Sequence, residues 1–349
     1  MPQTPFWPRT SPHFLACRRA VRPFTAPALI GLSGGPDSLA LVAAAAAEGK
    51  DVRALVVDHG LQAGSAEVAA RAAAQAERFG VSADVVRVTV DTAPGESLEA
   101  AARAARYAAL ADAAAPHSAL GALGAPRDIW VAPASTANSN AISSAPRDIW
   151  VAHTLDDQAE TLLLGALRGN PAGMAPVSSF ATGAHAFRLA RPFLGIRRAD
   201  TVGACNELGL EPWHDPMNDD RAYRRVAVRH DIIPALSDLI GGDAVPALAR
   251  TAERIAADQD FLADVVDLSP TNDCAVLAAA PAPVRQRRIL AWLRKEGVRV
   301  AGEPQTVSSA QLTDIERLCT KWHGQGPVTI GGGFSVARAG GTLKLTSAS

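Results

Sequence analysis

The chain has 349 residues, 48% of them hydrophobic, and a formal net charge of −1. That length and apolar content can bury a substantial core in two domains or three small ones, and the charge balance excludes a global pull towards nucleic acid. No apolar run reaches membrane-spanning length, and the first 27 residues lack the apolar segment of a secretory signal, so a cytoplasmic protein with no membrane partner is expected. Cys17, Cys205, Cys274 and Cys319 stand far apart with no CxxC pair. That spacing argues against a zinc ribbon, an iron–sulfur cluster or a sulfur relay and leaves buried thiols in a reducing compartment. Nearly all the positive charge is arginine, the lysines being Lys50, Lys295, Lys321 and Lys344. Arginine favours planar, bidentate phosphate contacts, so any nucleic-acid surface is a local patch.

The first element with chemistry is the apolar run from Ala28 to Leu32, which breaks into Ser33-Gly34-Gly35-Pro36-Asp37-Ser38 and restarts as the helical LALVAAAAAEG. A strand ending in paired glycines and reopening as a helix presents backbone N–H groups where an anion is stabilised. Gly34 and Gly35 let phosphate approach the backbone, and Pro36 suits a first helical turn. Ser33 and Ser38 offer hydroxyl donors, and Asp37 a carboxylate able to hold Mg²⁺. No GK[ST] follows, which separates this loop from the P-loop of ordinary ATPases.

Val52 to Asp58 reads as a buried strand, followed by the helix SAEVAARAAAQAERFG and a strand near VSADVVRVTV. Strands alternating with helices predict a doubly wound parallel sheet with ligands beyond the carboxyl ends of its strands, where Asp58 and His59 fall. Glu96 to Ala115 is a predicted helix carrying Glu99, Arg103, Arg106 and Tyr107 close to one face. APRDIWVA occurs at Ala125 to Ala132 and again at Ala145 to Ala152. Only the second copy runs directly into His153, so it is assigned to the central sheet, and residues 125–144 are read as a duplicated insertion.

At His153-Thr154-Leu155-Asp156-Asp157-Gln158-Ala159-Glu160-Thr161 a strand turns into a helix. Asp156 or Asp157 can cap that helix, but capping leaves His153, one aspartate and Glu160 over. Beyond Gly209 the alternation fades. Arg221 to Leu239 and Val245 to Leu268 read as helices, QRRILAWLRKEG and QLTDIERLCTKWHG as two more, and GPVTIGGGFSVARAGGTLKLT as a meander of short strands. The expected organisation is an N-terminal extension (1–27), a nucleotide-binding catalytic domain (28–220) and a smaller, mainly helical domain ending in the meander (221–349).

SGGPDS resembles the SGGxDS signature of the PP-loop ATP pyrophosphatases, the adenine nucleotide α-hydrolase-like fold. HTLDDQAET is similar to the HxxDDxxET of the tRNA(Ile)-lysidine synthetases. VDHGL at Val57 to Leu61, the E-x-x-x-R-x-x-R-Y pattern of Glu99 to Tyr107, RPF at Arg191 and WHDPMN at Trp213 to Asn218 resemble further blocks of that family. The tail around Trp322-His323-Gly324-Gln325-Gly326 resembles its actinobacterial members. The chain departs from the pattern in its short LRGNPAGM loop, in the duplication, and in Arg225, which stands where an asparagine is often found.

The resemblance implies ATP and Mg²⁺ as cofactors. It also implies, as partners, free L-lysine and a tRNA(Ile) with a CAU anticodon, with a homodimer left open. It implies adenylation of the wobble cytidine at C2, then attack by lysine, giving lysidine, AMP and pyrophosphate. The expected site is Asp37, Asp157 and His153 for catalysis, with Asp37 and Asp157 as metal ligands. Ser33, Gly34, Gly35, Pro36, Asp37, Ser38, Asp58 and His59 are expected around ATP. Arg103, Arg106, Arg221, Arg224, Arg225 and Arg229 are expected on tRNA, and Arg285, Arg287, Arg288, Arg294 and Arg299 form a second arginine strip. An ordinary carboxylate lies about six pKa units below a lysine amine, roughly 8 kcal/mol. Asp157 is therefore expected to orient substrate or metal and not to act as the base. The alternatives are another PP-loop ligase and a tRNA-binding relative that has lost catalysis.

Overall fold

The computed structural model describes residues 7–8, 10–90, 92, 98–115, 148–182, 185–298 and 307–347. The chain divides into two compact units. The first comprises Met1–Asp91, Ala101–Glu160 and Met174–Ala249, and the second Thr92–Ala100, Thr161–Gly173 and Arg250–Ser349. The main boundary thus falls at 249/250, later than the 220/221 read from the sequence.

Along the chain as far as residue 265, α1 (Pro12–Val21) precedes β1 (Ala28–Gly31), α2 (Pro36–Ala47), β2 (Val52–Asp58), α3 (Ser65–Glu77), β3 (Ala83–Arg87), α4 (Leu98–Ala114) and β4 (Asp148–Trp150). Then come α5 (Leu155–Ala166), the hairpin β5 (Val177–Thr182) and β6 (His185–Ala190), α6 (Arg198–Glu207), α7 (Arg224–Ala227), α8 (Ile233–Ile240) and α9 (Val245–Val265). The six strands run in the order β3-β2-β1-β4-β6-β5. All neighbours are parallel except β5 and β6. The antiparallel edge hairpin is a feature the sequence reading did not contain.

Strand order reverses between β1 and β4, which are paired through Ala28–Asp148 and Ile30–Trp150. In open α/β sheets the crevice outside the carboxyl ends at such a reversal is where ligands bind. SGGPDS follows β1 and HTLDD follows β4, so both motifs open onto that crevice. The assignment of the second APRDIWVA copy to the sheet holds, as β4 is drawn from it; the first copy lies outside the described residues.

Within the segment read as an N-terminal extension, α1 packs into the first unit. In α1, Phe14, Cys17 and Val21 are fully buried and join the core beneath the β1–α2 hinge, and Glu207 of α6 accepts the backbone N–H of Phe14 at 2.8 Å. The second unit contains α10 (Cys274–Ala279), α11 (Ala282–Lys295), α12 (Ser309–Thr320) and the antiparallel sheet of β7 (Val328–Ile330), β8 (Phe334–Ala339) and β9 (Thr342–Ser347). Leu277, Ile289, Leu293, Ile315, Leu318, Val336 and Leu343 form its core. Among the described residues no single helix is long and apolar enough to cross a membrane.

Candidate active site

The hinge after β1 is shaped by two glycines with different jobs. Gly34 sits at φ +82°, a region that side-chain-bearing residues avoid, and a Cβ there would meet Ala72 Cβ at 3.2 Å. Gly35 is extended (φ −73°, ψ 166°) as the residue before α2, and a Cβ on it would meet only Ser33 Oγ, at 3.6 Å. Its small size therefore keeps the cradle open and is not needed to relieve strain. Ser38 also has a role within the loop. Its hydroxyl accepts the Ser33 N–H at 3.2 Å and donates to the Gly35 carbonyl at 3.0 Å, so it braces the loop from inside. The Gly34 carbonyl is held from outside by the backbone N–H of Trp213, at 2.9 Å.

Asp37, in the first turn of α2, accepts from Thr201 Oγ1 and, at 3.5 Å, from Arg198 Nε. Burial raises its pKa, opposed by Arg198 and Thr201. Opposite it, α5 opens on a reciprocal cap. The Thr154 N–H and hydroxyl each donate to Asp157 Oδ2 at 2.8 Å, the arrangement of a capping box with aspartate in the third position. Asp157 Oδ1 faces two guanidinium groups instead, Arg198 at 2.9 Å and Arg225 at 3.2 Å. Burial pushes its pKa up, but Arg198 and Arg225 outweigh it and hold the carboxyl well below the usual range. One oxygen of Asp157 thus caps the helix and the other is left to the guanidinium groups.

Glu160, one turn further on, has no exposed surface. It receives Arg198 Nη1 at 3.1 Å, Arg225 Nε at 2.6 Å and Arg229 Nε at 2.7 Å. Arg225 and Arg229, both expected on tRNA, thus also pair with internal carboxylates. Arg221 is exposed and pairs with Asp231 at 2.5 Å, and Arg224 is exposed at the start of α7.

Asp58 is buried at the end of β2 and accepts the Gly60 N–H at 2.9 Å, shaping the turn that carries His59. Both ring nitrogens of His59 and Nδ1 of His153 are shielded from water without a hydrogen-bond partner among the described residues. Burial, with Arg106 adding to it, pushes His59 down to about 4. Burial, aided by Arg103, Arg191 and Arg225 against Asp157, pushes His153 down to about 3. Both rings are therefore neutral at pH 7. Arg103 lies over the Tyr107 ring, 5.0 Å from its centroid, and Arg191 donates to the Ala175 carbonyl at 2.8 Å.

Among the described residues no three His, Cys, Asp or Glu side chains gather at metal-holding spacing. Two carboxylates, Asp37 and Asp157, share the crevice. Hard oxygen donors of that number suit Mg²⁺, which is commonly bound through one or two carboxylates plus substrate phosphates. Sequence reading missed Arg197 and Arg198. Asp156 receives the Arg198 backbone N–H at 2.8 Å and the Arg197 guanidinium at 3.2 Å, so HTLDD is fastened to the start of α6. In the second strip, Arg285 donates to Glu316 at 2.8 Å and Arg288 to Asp267 at 2.5 Å; Arg299 lies outside the described residues.

The PP-loop domain family matches residues 17–125 and 138–236, and the TilS substrate binding domain family matches residues 273–343. A tRNA(Ile)-lysidine synthase of Corynebacterium glutamicum is 45% identical over 97% of this chain and 96% of its own length. That of Corynebacterium diphtheriae is 46% identical over 98% and 99%. The chain belongs to the tRNA(Ile)-lysidine synthase family. Its PP-loop domain is that of an ATP-utilising enzyme, and the break in the match at 126–137 falls inside the duplicated segment. In fold the chain is also similar to the U34-tRNA thiolase NcsA from Methanococcus maripaludis, solved with its [4Fe-4S] cluster. That likeness has a TM-score of 0.51 at 15% identity, over 74% of this chain and 82% of that one.

Proposed function

We propose that this chain joins free L-lysine to C2 of the wobble cytidine of a tRNA(Ile) with a CAU anticodon, in two steps. The C2 oxygen attacks the α-phosphorus of ATP and pyrophosphate leaves. The lysine ε-amine then attacks C2, and AMP departs with that oxygen, giving lysidine. The observation that carries the reading is the meeting, at the β1/β4 reversal, of an open glycine cradle with an Asp37–Arg198–Asp157–Glu160 cluster.

The glycine hinge opening into α2 supports binding of the leaving pyrophosphate there, because preorganised N–H donors at a helix start stabilise an anion. Mg²⁺, when bound, supplies further neutralisation of that charge, with Asp37 and Asp157 as the residues that would hold it. Asp157, held below the ordinary carboxylate range, is a poor acceptor for an ammonium proton. Its geometry supports an orienting role, with the amine losing its proton elsewhere. The neutral rings of His59 and His153, beside Arg103 and Arg106, offer hydrogen-bonding edges for nucleotide or base. Exposed Arg221 and Arg224 support contact with tRNA phosphate. The thiols of Cys17, Cys205 and Cys319 are pushed up to about 12, chiefly by burial, which favours this reading over sulfur transfer.

The deciding experiment supplies ATP, radiolabelled lysine and a CAU-anticodon tRNA(Ile). Label enters the RNA, and AMP and pyrophosphate appear only when ATP and tRNA are both present. Release of ADP and orthophosphate overturns the reading, and binding of tRNA without pyrophosphate release identifies a relative that has lost catalysis.

A further inference from the structure

Arg198 stands first in α6, where the helix dipole disfavours a cation. Its guanidinium nevertheless spends all three nitrogens on carboxylates from two other elements: Nε on Asp37 of α2 at 3.5 Å, and Nη2 and Nη1 on Asp157 and Glu160 of α5 at 2.9 and 3.1 Å. The side chain is 22% exposed. Burial works against its charge, yet Asp157, Glu160 and Asp37 together raise its pKa further above the arginine value. Asp156 fixes the backbone beneath it. A planar fork, the shape suited to oxyanions, therefore lies between the two carboxylates that would otherwise face a hard cation together. Glu160, the third carboxylate on the fork, is also taken by Arg225 and Arg229, and among the described residues no three His, Cys, Asp or Glu side chains gather at metal-holding spacing.

We propose that Arg198 is a resident counter-cation. It neutralises Asp37 and Asp157 while the crevice holds no nucleotide, and so keeps a divalent metal from settling there alone. It yields the position when a triphosphate arrives with oxygens that both complete the metal's coordination and receive the guanidinium. Metal and nucleotide then bind as a pair, and Arg198 is a positioning residue on the phosphates in the loaded state. This rests on reading the SGGPDS cradle as the nucleotide site.

The test uses the full chain, Mn²⁺ as the probe, and an ATP analogue resistant to cleavage between the α and β phosphates, with free Mn²⁺ followed by electron paramagnetic resonance. Wild type binds Mn²⁺ weakly alone and about tenfold more tightly with the analogue. Arg198→Met, similar in length but uncharged, binds Mn²⁺ alone about tenfold more tightly than wild type and loses most of the analogue's effect. Arg198→Lys, a charge without the fork, falls between. A folded Arg198→Met protein that binds Mn²⁺ no better than wild type overturns the proposal. If that variant does not fold, arginine ¹⁵Nε resonances of wild type decide. The Arg198 signal moves with metal and analogue together and not with metal alone, and a signal indifferent to both overturns it. Pyrophosphate release dependent on ATP and tRNA is scored separately, so loss of this proposal leaves the assigned reaction standing, and loss of the reaction is seen without it.

Discussion

Arg225 of α7 reaches Glu160 of α5 at 2.6 Å, across 65 positions of sequence, and Glu160 has no surface left for water. Removing one partner of a buried ionic cluster strands the others, at a cost of about 3 kcal/mol or more. Glu160→Gln leaves three guanidinium groups facing a neutral amide. Its thermal unfolding midpoint falls clearly below wild type, and lysidine formation falls with it. An unchanged midpoint shows that the cluster contributes nothing to holding the 224–232 segment in place.

The two hinge glycines give separable outcomes. Gly34→Ala forces a residue with a Cβ to φ +82°, costing roughly 1–3 kcal/mol, and is read in the melting temperature. Gly35→Ala is unstrained, so the protein melts as wild type does, but the methyl group enters the cradle and raises the KM for ATP about tenfold. A Gly35→Ala enzyme with wild-type KM shows that phosphate does not approach this backbone.

With Asp157 in the proposed orienting role, Asp157→Asn abolishes adenylation as well as lysine transfer. Single-turnover pyrophosphate release measures the first step, and label incorporation into tRNA the second. Intact adenylation with transfer alone lost restores Asp157 as the base.

Acid destabilises the fold through its histidines. The ordinary imidazole value is 6.5, whereas the folded rings titrate at about 4 for His59 and about 3 for His153. Between these values the unfolded chain binds more protons than the folded one, so stability drops as pH falls through that window. Melting temperatures from pH 7 to pH 4 follow this fall, and the paired replacement His59→Gln with His153→Gln flattens it. An equal slope in the double variant assigns the acid sensitivity to other groups.

Excision of residues 125–144 removes the first APRDIWVA copy and its linker while leaving β4 and its run into His153 in place. The shortened protein stays soluble, melts like wild type and forms lysidine. An insoluble or inactive product shows that the insertion has been recruited into the fold.

What was legible in the sequence was local. SGGPDS and HTLDD each contain their own strand end, turn and helix start, so their chemistry could be read without knowing their neighbours. The partners of a charge were not legible. Glu160 lies 65 and 69 residues from Arg225 and Arg229, and Arg198 passed unnoticed because its bond to Asp37 spans 161. The role of α1 was obscured by its flanking prolines, although Phe14, Cys17 and Val21 recur at the three- and four-residue spacing of a buried face.

The tether from Trp213 to the Gly34 carbonyl has a reach beyond the hinge it steadies. The same loop sends Asp215 to Gln62, at 3.0 Å, just past the VDHGL turn, and a few residues later becomes the segment bearing Arg221 and Arg224. One stretch of backbone therefore answers to both ends of the nucleotide crevice and to these two exposed arginines. Under the proposed function, an RNA held at Arg221 and Arg224 and a triphosphate held at the hinge would share this stretch, and any influence of one on the other would be reciprocal.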